Sequence, residues 1–251
     1  FQKENLIGYI GFSTHGELSL IENDLNKLGL DFNSKFVCLT IRDDAYLKKT
    51  FPKGNWDQNY RNCEISRFLR ASESLTKRGY KVLRMGKIVK DKLVSKNPMI
   101  LDYANSPYRS DVLDVYLHTR CFFTVTSGTG IDTASYVSRR PMAWISVPVW
   151  GFYNFKNHFH ATKHHKNKHT GKKLTLSEIF ENNDAAKIKT AMIDEEIYKN
   201  VAIDELNEVE IEDYLLEVLN ILENKFTWSI EDKQLQTEFW NNYKRLIQKH
   251  N

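Results

Sequence analysis

The sequence has 251 residues, of which 41% are hydrophobic, and a formal net charge of +4, which suits a globular protein with a sizeable core. The slight positive charge permits anionic ligands but does not by itself indicate nucleic-acid binding. No apolar run approaches membrane-spanning length, which argues against a transmembrane protein. The three cysteines are widely spaced and odd in number, which favours free thiols in a reducing compartment over a disulfide framework. Because the first residue is Phe1 rather than methionine, we expect a region of the protein to precede it.

The first part of the chain alternates predicted helices with a short apolar run. Apolar residues at helical spacing predict a helix over Glu17–Leu28, and Gly29 is suited to end it. The run Phe36–Ile41 predicts a buried strand that ends abruptly at charged residues, Arg42 first. A second, amphipathic helix is predicted over Cys63–Arg78.

Two further strands also end in charged or polar residues. They are predicted over Tyr80–Met85 and Met99–Leu101. The residues at or just after their ends are Arg84, Gly86 and Lys87 in the first case and Asp102 and Tyr103 in the second. In open α/β sheets, ligands bind beyond the carboxyl ends of the strands, so these positions are candidates for a binding site.

The stretch Cys121–Pro141 is the most informative one in the chain. A short helix capped by Ser110 is predicted over Ser110–His118 before it. Residues 122–126 then predict a strand, Ser127, Gly128, Thr129 and Gly130 a tight turn, and the following residues a helix. Such a turn can direct backbone N–H groups at a phosphate, or its glycines can serve the geometry of an ordinary strand-to-helix connection.

The remaining sequence changes in character after one more strand, predicted over Met142–Val147. Strands and helices up to that point alternate with the rhythm of a parallel sheet. Gly151–Lys173 is aromatic and then rich in histidine and lysine, and from Leu174 the chain is predicted to be helical to its end, with amphipathic helices over Ile203–Phe226 and Asp232–Lys249.

Three segments taken together resemble a bacterial glycosyltransferase family associated with surface-polysaccharide synthesis. They are Phe36–Tyr46, Tyr60–Gly86 and Ile100–Pro141, and Lys172–Phe180 and Leu235–Trp240 are similar to it as well. The resemblance implies a Rossmann-like parallel sheet of the GT-B C-terminal-lobe type with a C-terminal helical extension. More distantly, the segment ending in Arg42 and the Ser-Gly turn are similar to motifs of GDP-fucose fucosyltransferases. Those carry a histidine two residues before the arginine, where this sequence has Thr40.

The resemblance also implies a domain organisation and a set of partners. Residues 1–34 are interpreted as an N-terminal helical linker, 35–173 as the nucleotide-sugar-binding domain and 174–251 as a helical tail packed on it. The expected partners are a nucleotide-sugar donor and a glycan or lipid-linked acceptor, with an N-terminal lobe missing from this chain. A cytoplasmic location is expected, with peripheral association at the inner membrane allowed if the acceptor is lipid-linked. Neither a cofactor nor nucleic acid is expected.

The chemistry of glycosyl transfer fits the charged strand ends. Loss of the nucleotide develops negative charge, which a metal-independent enzyme must stabilise with fixed cations and N–H groups. Arg42 and Arg84 are therefore predicted to contact phosphate, with Lys87 a weaker candidate, while the alternative for each arginine is a surface ion pair. The motifs add Tyr46, Gly86 and the turn Ser127–Gly130 to the predicted binding residues. No catalytic base is singled out among the available carboxylates Asp43, Asp44 and Asp132.

Three polar positions have equally good structural interpretations. Asp102 could accept a hydrogen bond from a base or ribose and Tyr103 could stack on a base, or the two could form a helix cap and a half-buried ring. Asn62 is as plausibly a helix N-cap as a donor contact. Arg109 is interpreted as part of a capping segment rather than of a site.

The spacing of His160, His164, His165 and His169 suggests metal ligands on one helical face, but the lysines among them would repel a dication. A basic, mobile loop that closes over an anionic ligand, or a merely solvated loop, is favoured instead. A non-catalytic nucleotide-sugar-binding or assembly module remains the main alternative to an enzyme. A nucleic-acid-binding protein is disfavoured, because aromatic and basic residues are not interleaved.

Overall fold

A computed structural model of the protein describes residues 15–53, 61–147, 157–182 and 200–248. Its main sheet consists of β1 (Phe36–Thr40), β2 (Lys81–Arg84), β3 (Ile100–Leu101), β4 (Thr124–Thr126), β5 (Met142–Val147) and β6 (His158–Thr162). The six strands lie in the order β3-β2-β1-β4-β5-β6, and every neighbouring pair is parallel. This strand order confirms the predicted Rossmann-like α/β architecture.

The helices of the described ranges fall between and after these strands. They are α1 (His15–Lys27), α2 (Ala45–Thr50), α3 (Leu69–Lys77), α4 (Asp111–Arg120), α5 (Asp132–Val137), α6 (Leu176–Asn182), α7 (Glu208–Leu222) and α8 (Ile230–Gln248). Short 3₁₀ turns cover Ile65–Phe68 and Tyr103–Asn105. A second, antiparallel sheet pairs β7 (His164–Asn167) with β8 (Val201–Asp204).

All five predicted strands are confirmed, the one over Met142–Val147 residue for residue. The predicted helix ends are also confirmed by their caps. Gly29 and Gly79 have φ angles of 66° and 87°, which favour glycine at a helix C-terminus. The hydroxyl of Ser110 accepts a hydrogen bond from Leu113 N at 3.1 Å, as expected of an N-cap.

Two predictions for the C-terminal half are wrong. The basic loop of Gly151–Lys173 contains strands β6 and β7, although residues 151–156 lie outside the described ranges. The physical reason is a two-residue alternation: Phe159 and Ala161 pack against the main core, while His158 and His160 project to the other face of the sheet. The helix predicted from Ile203 is preceded by β8 and begins only at Glu208.

The sheet has an apolar core on each face, and the alternation of β1 shows how they form. Val37 and Leu39 belong to the first core, which α3 and α7 cover with Leu75, Leu215 and other apolar side chains. Phe36 and Cys38 project into the second core, to which α1 and α4 contribute. We refer below to these two sides as the first face and the second face of the sheet.

Helices from both ends of the chain take part in this packing. Ile21 and Leu25 of α1, within the segment interpreted as a linker, are buried in the second core. Helix α7 lies against α3, and α8 lies against α6, where Asn242 Nδ2 donates to Ser177 Oγ at 3.2 Å. Within the described ranges, no helix combines the length and the apolar composition needed to cross a bilayer.

Candidate functional site

A large cavity lies where the strand order of the main sheet reverses. The reversal is between β1 and β4, and the carboxyl ends of these strands lead into Arg42 and into the turn Ser127–Gly130. The backbone N–H of Arg42 donates to Ser127 Oγ at 2.8 Å, which joins the two strand ends. The cavity beside them has a volume of about 1110 Å³. In doubly wound sheets this crevice is the usual ligand site.

Seven of the twelve predicted binding residues line this cavity. They are Arg42, Tyr46, Gly86, Lys87, Gly128, Thr129 and Gly130. They come from three separate segments of the chain, which the parallel strands bring to one edge. The residues predicted from the strand ends thus line a cavity at the carboxyl end of the sheet.

Arg84, predicted to contact phosphate, does not line the cavity. Its side chain is 1% exposed, with nitrogens 3.6 Å from carboxylate oxygens of both Asp43 and Asp102. The prediction of a phosphate contact is therefore wrong, and its stated alternative, an ion pair, is the one observed, although buried rather than on the surface. Asp102 faces Arg84 instead of the cavity.

Tyr103, Asn62 and Ser127 also have structural roles. The ring of Tyr103 is 0% exposed, and its hydroxyl accepts from Ser110 N at 3.2 Å, so stacking on a base is ruled out. Asn62 is neither a cavity residue nor an N-cap, because the 3₁₀ turn begins at Ile65 after Glu64. Ser127 is buried and serves as the acceptor for the Arg42 N–H.

The turn Ser127–Gly130 does not present all of its N–H groups to a ligand. Gly128 N donates to Thr126 Oγ1 at 2.9 Å, and Thr129 N donates to Asp132 Oδ2 at 2.6 Å. Gly128 has a φ of 88°, a conformation that favours glycine. The hydrogen bonds of Gly128 and Thr129 therefore fit an ordinary strand-to-helix connection, rather than a turn that directs these N–H groups at a phosphate.

Asp132, at the start of α5, is the buried carboxylate of this turn. It is 3% exposed and lines the cavity. Oδ2 accepts from Thr126 Oγ1 at 2.5 Å as well as from Thr129 N. Burial raises the pKa of Asp132 to about 6, although these hydrogen bonds and the charge of Arg61 oppose the shift. The sequence analysis gave Asp132 only as one of three available carboxylates and predicted no role for it.

Helix α4 forms another wall, which the sequence analysis did not predict. Arg109 precedes it, and Asp111, Asp114 and His118 follow on one helical face at spacings of three and four residues. Arg109 Nη2 donates to the carboxylates of both aspartates. The spacing of these residues places them on one face of the helix, but without the topology of the sheet it does not show that this face lines a cavity.

His118 ties α4 to the end of β1 as a neutral ring. Its Nδ1 lies 2.8 Å from the carbonyl oxygen of Asp114, which can only accept, so Nδ1 carries the proton. Nε2 is then the acceptor for the hydroxyl of Thr40 at 2.9 Å. Burial lowers the pKa of His118, which keeps the ring uncharged.

The floor of the cavity is aromatic and comes from the second face of β5 and β6. Trp144 and His160 are stacked with ring centroids 5.9 Å apart and planes at 10°, and Tyr136 meets His158 edge to face at 5.8 Å. Burial, with a smaller effect from His158, lowers the pKa of His160 to about 4. Of the four histidines whose spacing suggests metal ligands, His160 lines the cavity, and within the described part of the chain no three His, Cys, Asp or Glu side chains are grouped to hold a metal ion.

Fold and site together define a Rossmann-like α/β protein with a cavity at the switch point of its sheet. Comparison with protein-family models, with curated proteins and with solved structures gives no match to this chain. The assignment of the architecture therefore depends on the observed strand order alone.

Proposed function

We propose that this chain is the nucleotide-sugar-binding lobe, of the GT-B type, of a glycosyltransferase that acts in surface-polysaccharide synthesis. The observation that carries the proposal is the position of the cavity between the ends of β1 and β4, with Arg42 at its edge. Dinucleotides and mononucleotides bind at this place in doubly wound sheets. The sequence resemblance supplies the reaction class.

The chemistry of the cavity suits a nucleotide sugar. Its cationic side chains include Arg42, Arg61 and Lys87, which can neutralise a diphosphate. Apolar side chains such as Ile88 and Val89 can cover a base. The volume of about 1110 Å³ is slightly above the usual range for small-molecule sites, which leaves room for a donor larger than a mononucleotide.

Arg42 is held where it can stabilise the departing diphosphate. Its backbone N–H is bonded to Ser127 Oγ at 2.8 Å, and its carbonyl oxygen accepts from Cys63 N at 3.0 Å. Because both backbone groups are fixed, the Cα of Arg42 is held at the edge of the cavity, from which its guanidinium can reach the charge of a leaving group. Truncation of the side chain leaves these two backbone bonds intact.

The test is a thermal-shift screen of the chain against UDP, GDP, CDP, ADP and CMP, with and without magnesium or manganese. A ligand that binds the folded state raises the unfolding midpoint as its concentration exceeds the Kd. We expect one nucleoside diphosphate to stabilise the protein without added metal. Arg42→Ala should weaken its binding by about tenfold to a hundredfold, as for the loss of a hydrogen bond to a charged group.

The matched control is Arg245→Ala, which removes an exposed arginine of α8 that lies outside the cavity. It should leave both the nucleotide affinity and the midpoint unchanged. Equal nucleotide affinity in wild type and Arg42→Ala would contradict the assignment of Arg42. Stabilisation by none of the nucleotides would contradict the proposed function. Release of the nucleoside diphosphate from its sugar donor then distinguishes an enzyme from a non-catalytic binding module.

A further inference from the structure

Two carboxylates in the cavity each have one oxygen for which the described residues supply no hydrogen-bond partner. Asp132 and Asp114 are 3% and 7% exposed, and both line the cavity. Oδ2 of Asp132 is bonded to the turn, and Oδ2 of Asp114 to Arg109, whereas Oδ1 of each has no hydrogen-bond partner among the described residues. A buried acceptor without a partner is costly, so these oxygens are suited to bind donors that a ligand brings.

The two carboxylates belong to the same region of the cavity. They come from α4 and α5, which pack against each other beside the cavity. Their bonded oxygens fix the orientation of each carboxylate, so the open oxygens are preorganised acceptors. A group rich in O–H donors matches them, because an ionised carboxylate can only accept hydrogen bonds, whereas the carboxylate of a uronic or sialic acid would bring a further acceptor.

An aromatic surface lines the same cavity. Trp144, stacked on His160, and Tyr136, in contact with His158, supply flat apolar rings. Sugar rings present C–H groups on their faces and hydroxyls at their edges, so they are recognised by aromatic surfaces combined with polar acceptors. The cations Arg42, Arg61 and Lys87 line the same cavity as this surface.

We infer that Asp114, Asp132 and the aromatic floor form the subsite for the glycosyl group of the donor, and that this group is a neutral sugar rather than a uronic or sialic acid. The inference rests on the proposed function, because it assigns the sugar of the same nucleotide-sugar donor. The carboxylates accept hydrogen bonds from sugar hydroxyls, and the aromatic floor packs against the ring. No covalent step is assigned to either aspartate.

The experiment compares Asp132→Asn with wild type by isothermal titration calorimetry at neutral pH, with a chelator present and, in parallel, with magnesium or manganese added. The probes are UDP, UDP-glucose and UDP-glucuronic acid, or GDP, GDP-mannose and GDP-mannuronic acid if guanosine is the preferred base. The asparagine oxygen can still accept from Thr126 and Thr129, so the fold of the turn is kept. We expect about tenfold weaker binding of the nucleotide hexose and a change of less than about twofold for the nucleoside diphosphate.

Wild type should also bind the hexose form about tenfold more tightly than the uronic form of the same nucleotide, and the variant should narrow this preference. Asp31→Asn is the matched control, because Asp31 likewise accepts from a backbone N–H and a hydroxyl in a turn but does not line the cavity. It should leave all affinities unchanged. Asp114→Asn provides an independent variant with the same expected selectivity for the hexose form.

Several outcomes would overturn the inference. Equal weakening of the nucleoside diphosphate and the nucleotide hexose by Asp132→Asn would show a general effect on the cavity. Preference of wild type for the uronic form would contradict the neutral sugar. A requirement for magnesium or manganese in hexose binding would assign the carboxylates to a metal. If no nucleotide binds wild type, the proposed function itself is contradicted and the inference falls with it.

Discussion

Replacement of Asp132 by asparagine is expected to change how the stability of the protein depends on pH. Burial raises the pKa of Asp132 from 3.8 to about 6 in the folded state, so the folded protein holds a proton that the unfolded chain has released. Stability from this group is therefore fully present below pH 3.8 and is lost as the pH rises through 6. The whole difference corresponds to about 3 kcal/mol, and the part that falls between pH 5 and pH 7 to about 1 kcal/mol.

The assay is urea unfolding of wild type and Asp132→Asn at pH 5 and pH 7. Because asparagine does not titrate, the free energy of unfolding of the variant relative to wild type should increase by about 1 kcal/mol from pH 5 to pH 7. The buried histidines titrate in both proteins, and their effects cancel in the comparison. Asp31→Asn is the control, since the pKa of Asp31 is lowered by its hydrogen bond to Ser34, and it should show no such increase. A constant difference between Asp132→Asn and wild type over this range would refute the reasoning.

Two further substitutions test the backbone of the site and the packing of the C-terminal region. Gly86→Ala should destabilise the protein by more than about 1 kcal/mol and weaken nucleotide binding, because φ is 146° and a Cβ would lie 2.5 Å from Val89 Cγ1. Gly79→Ala is the control, because Gly79 has a φ of 87° but open space around it, so this variant has the backbone strain without the clash. Equal losses of unfolding free energy in the two variants, measured by urea unfolding, would count against a clash. Asn207→Ala removes the capping box of α7 and should cost about 1 kcal/mol, whereas Asn207→Ser should restore most of it; an unchanged urea midpoint in Asn207→Ala would contradict this.

The position of the site could be predicted from the sequence, because parallel strands bring their carboxyl ends to one edge. Apolar runs identified the five strands from β1 to β5, and the charged or glycine residues after them marked that edge. Arg42, Lys87 and Gly128–Gly130 were found in this way. The rule that ligands bind at the carboxyl ends of parallel strands requires only the positions of those ends, and a single sequence indicates them well.

The rule does not say which face of the sheet a strand-end side chain will join. Arg42 lies two residues after Thr40, so the alternation of the strand directs it to the same side of the sheet, and it reaches the cavity on the second face. Arg84 lies two residues after Val82, which packs into the first core. The side chain of Arg84 is buried beside Asp43 and Asp102. The two arginines looked equivalent in sequence, and only the strand order and the position of the helices distinguish them.

The sequence analysis did not predict the aromatic floor of the cavity, for a different reason. His158 and His160 alternate with Phe159 and Ala161, a strand pattern, but the lysines and histidines that follow resembled a solvated loop. Pairing with β5 overrides that composition, because it places the two apolar residues in the first core. Such long-range pairing is not encoded in any local window of the sequence.

The ion pairs of the cavity show which cations a ligand can recruit at low cost. Lys87 Nζ lies 2.8 Å from Asp111, and the side chains are 52% and 68% exposed, so solvent screens the pair and Lys87 can exchange Asp111 for a phosphate at little cost. Arg109, by contrast, is largely buried against Asp114, and removing its partner would leave a charge poorly solvated. A diphosphate is therefore expected to engage Lys87 more readily than Arg109, which should stay with Asp114 and keep its carboxylate oriented. If the proposed function holds, the diphosphate of a nucleotide sugar would pair with Lys87 while the Arg109–Asp114 pair stays intact beside the sugar.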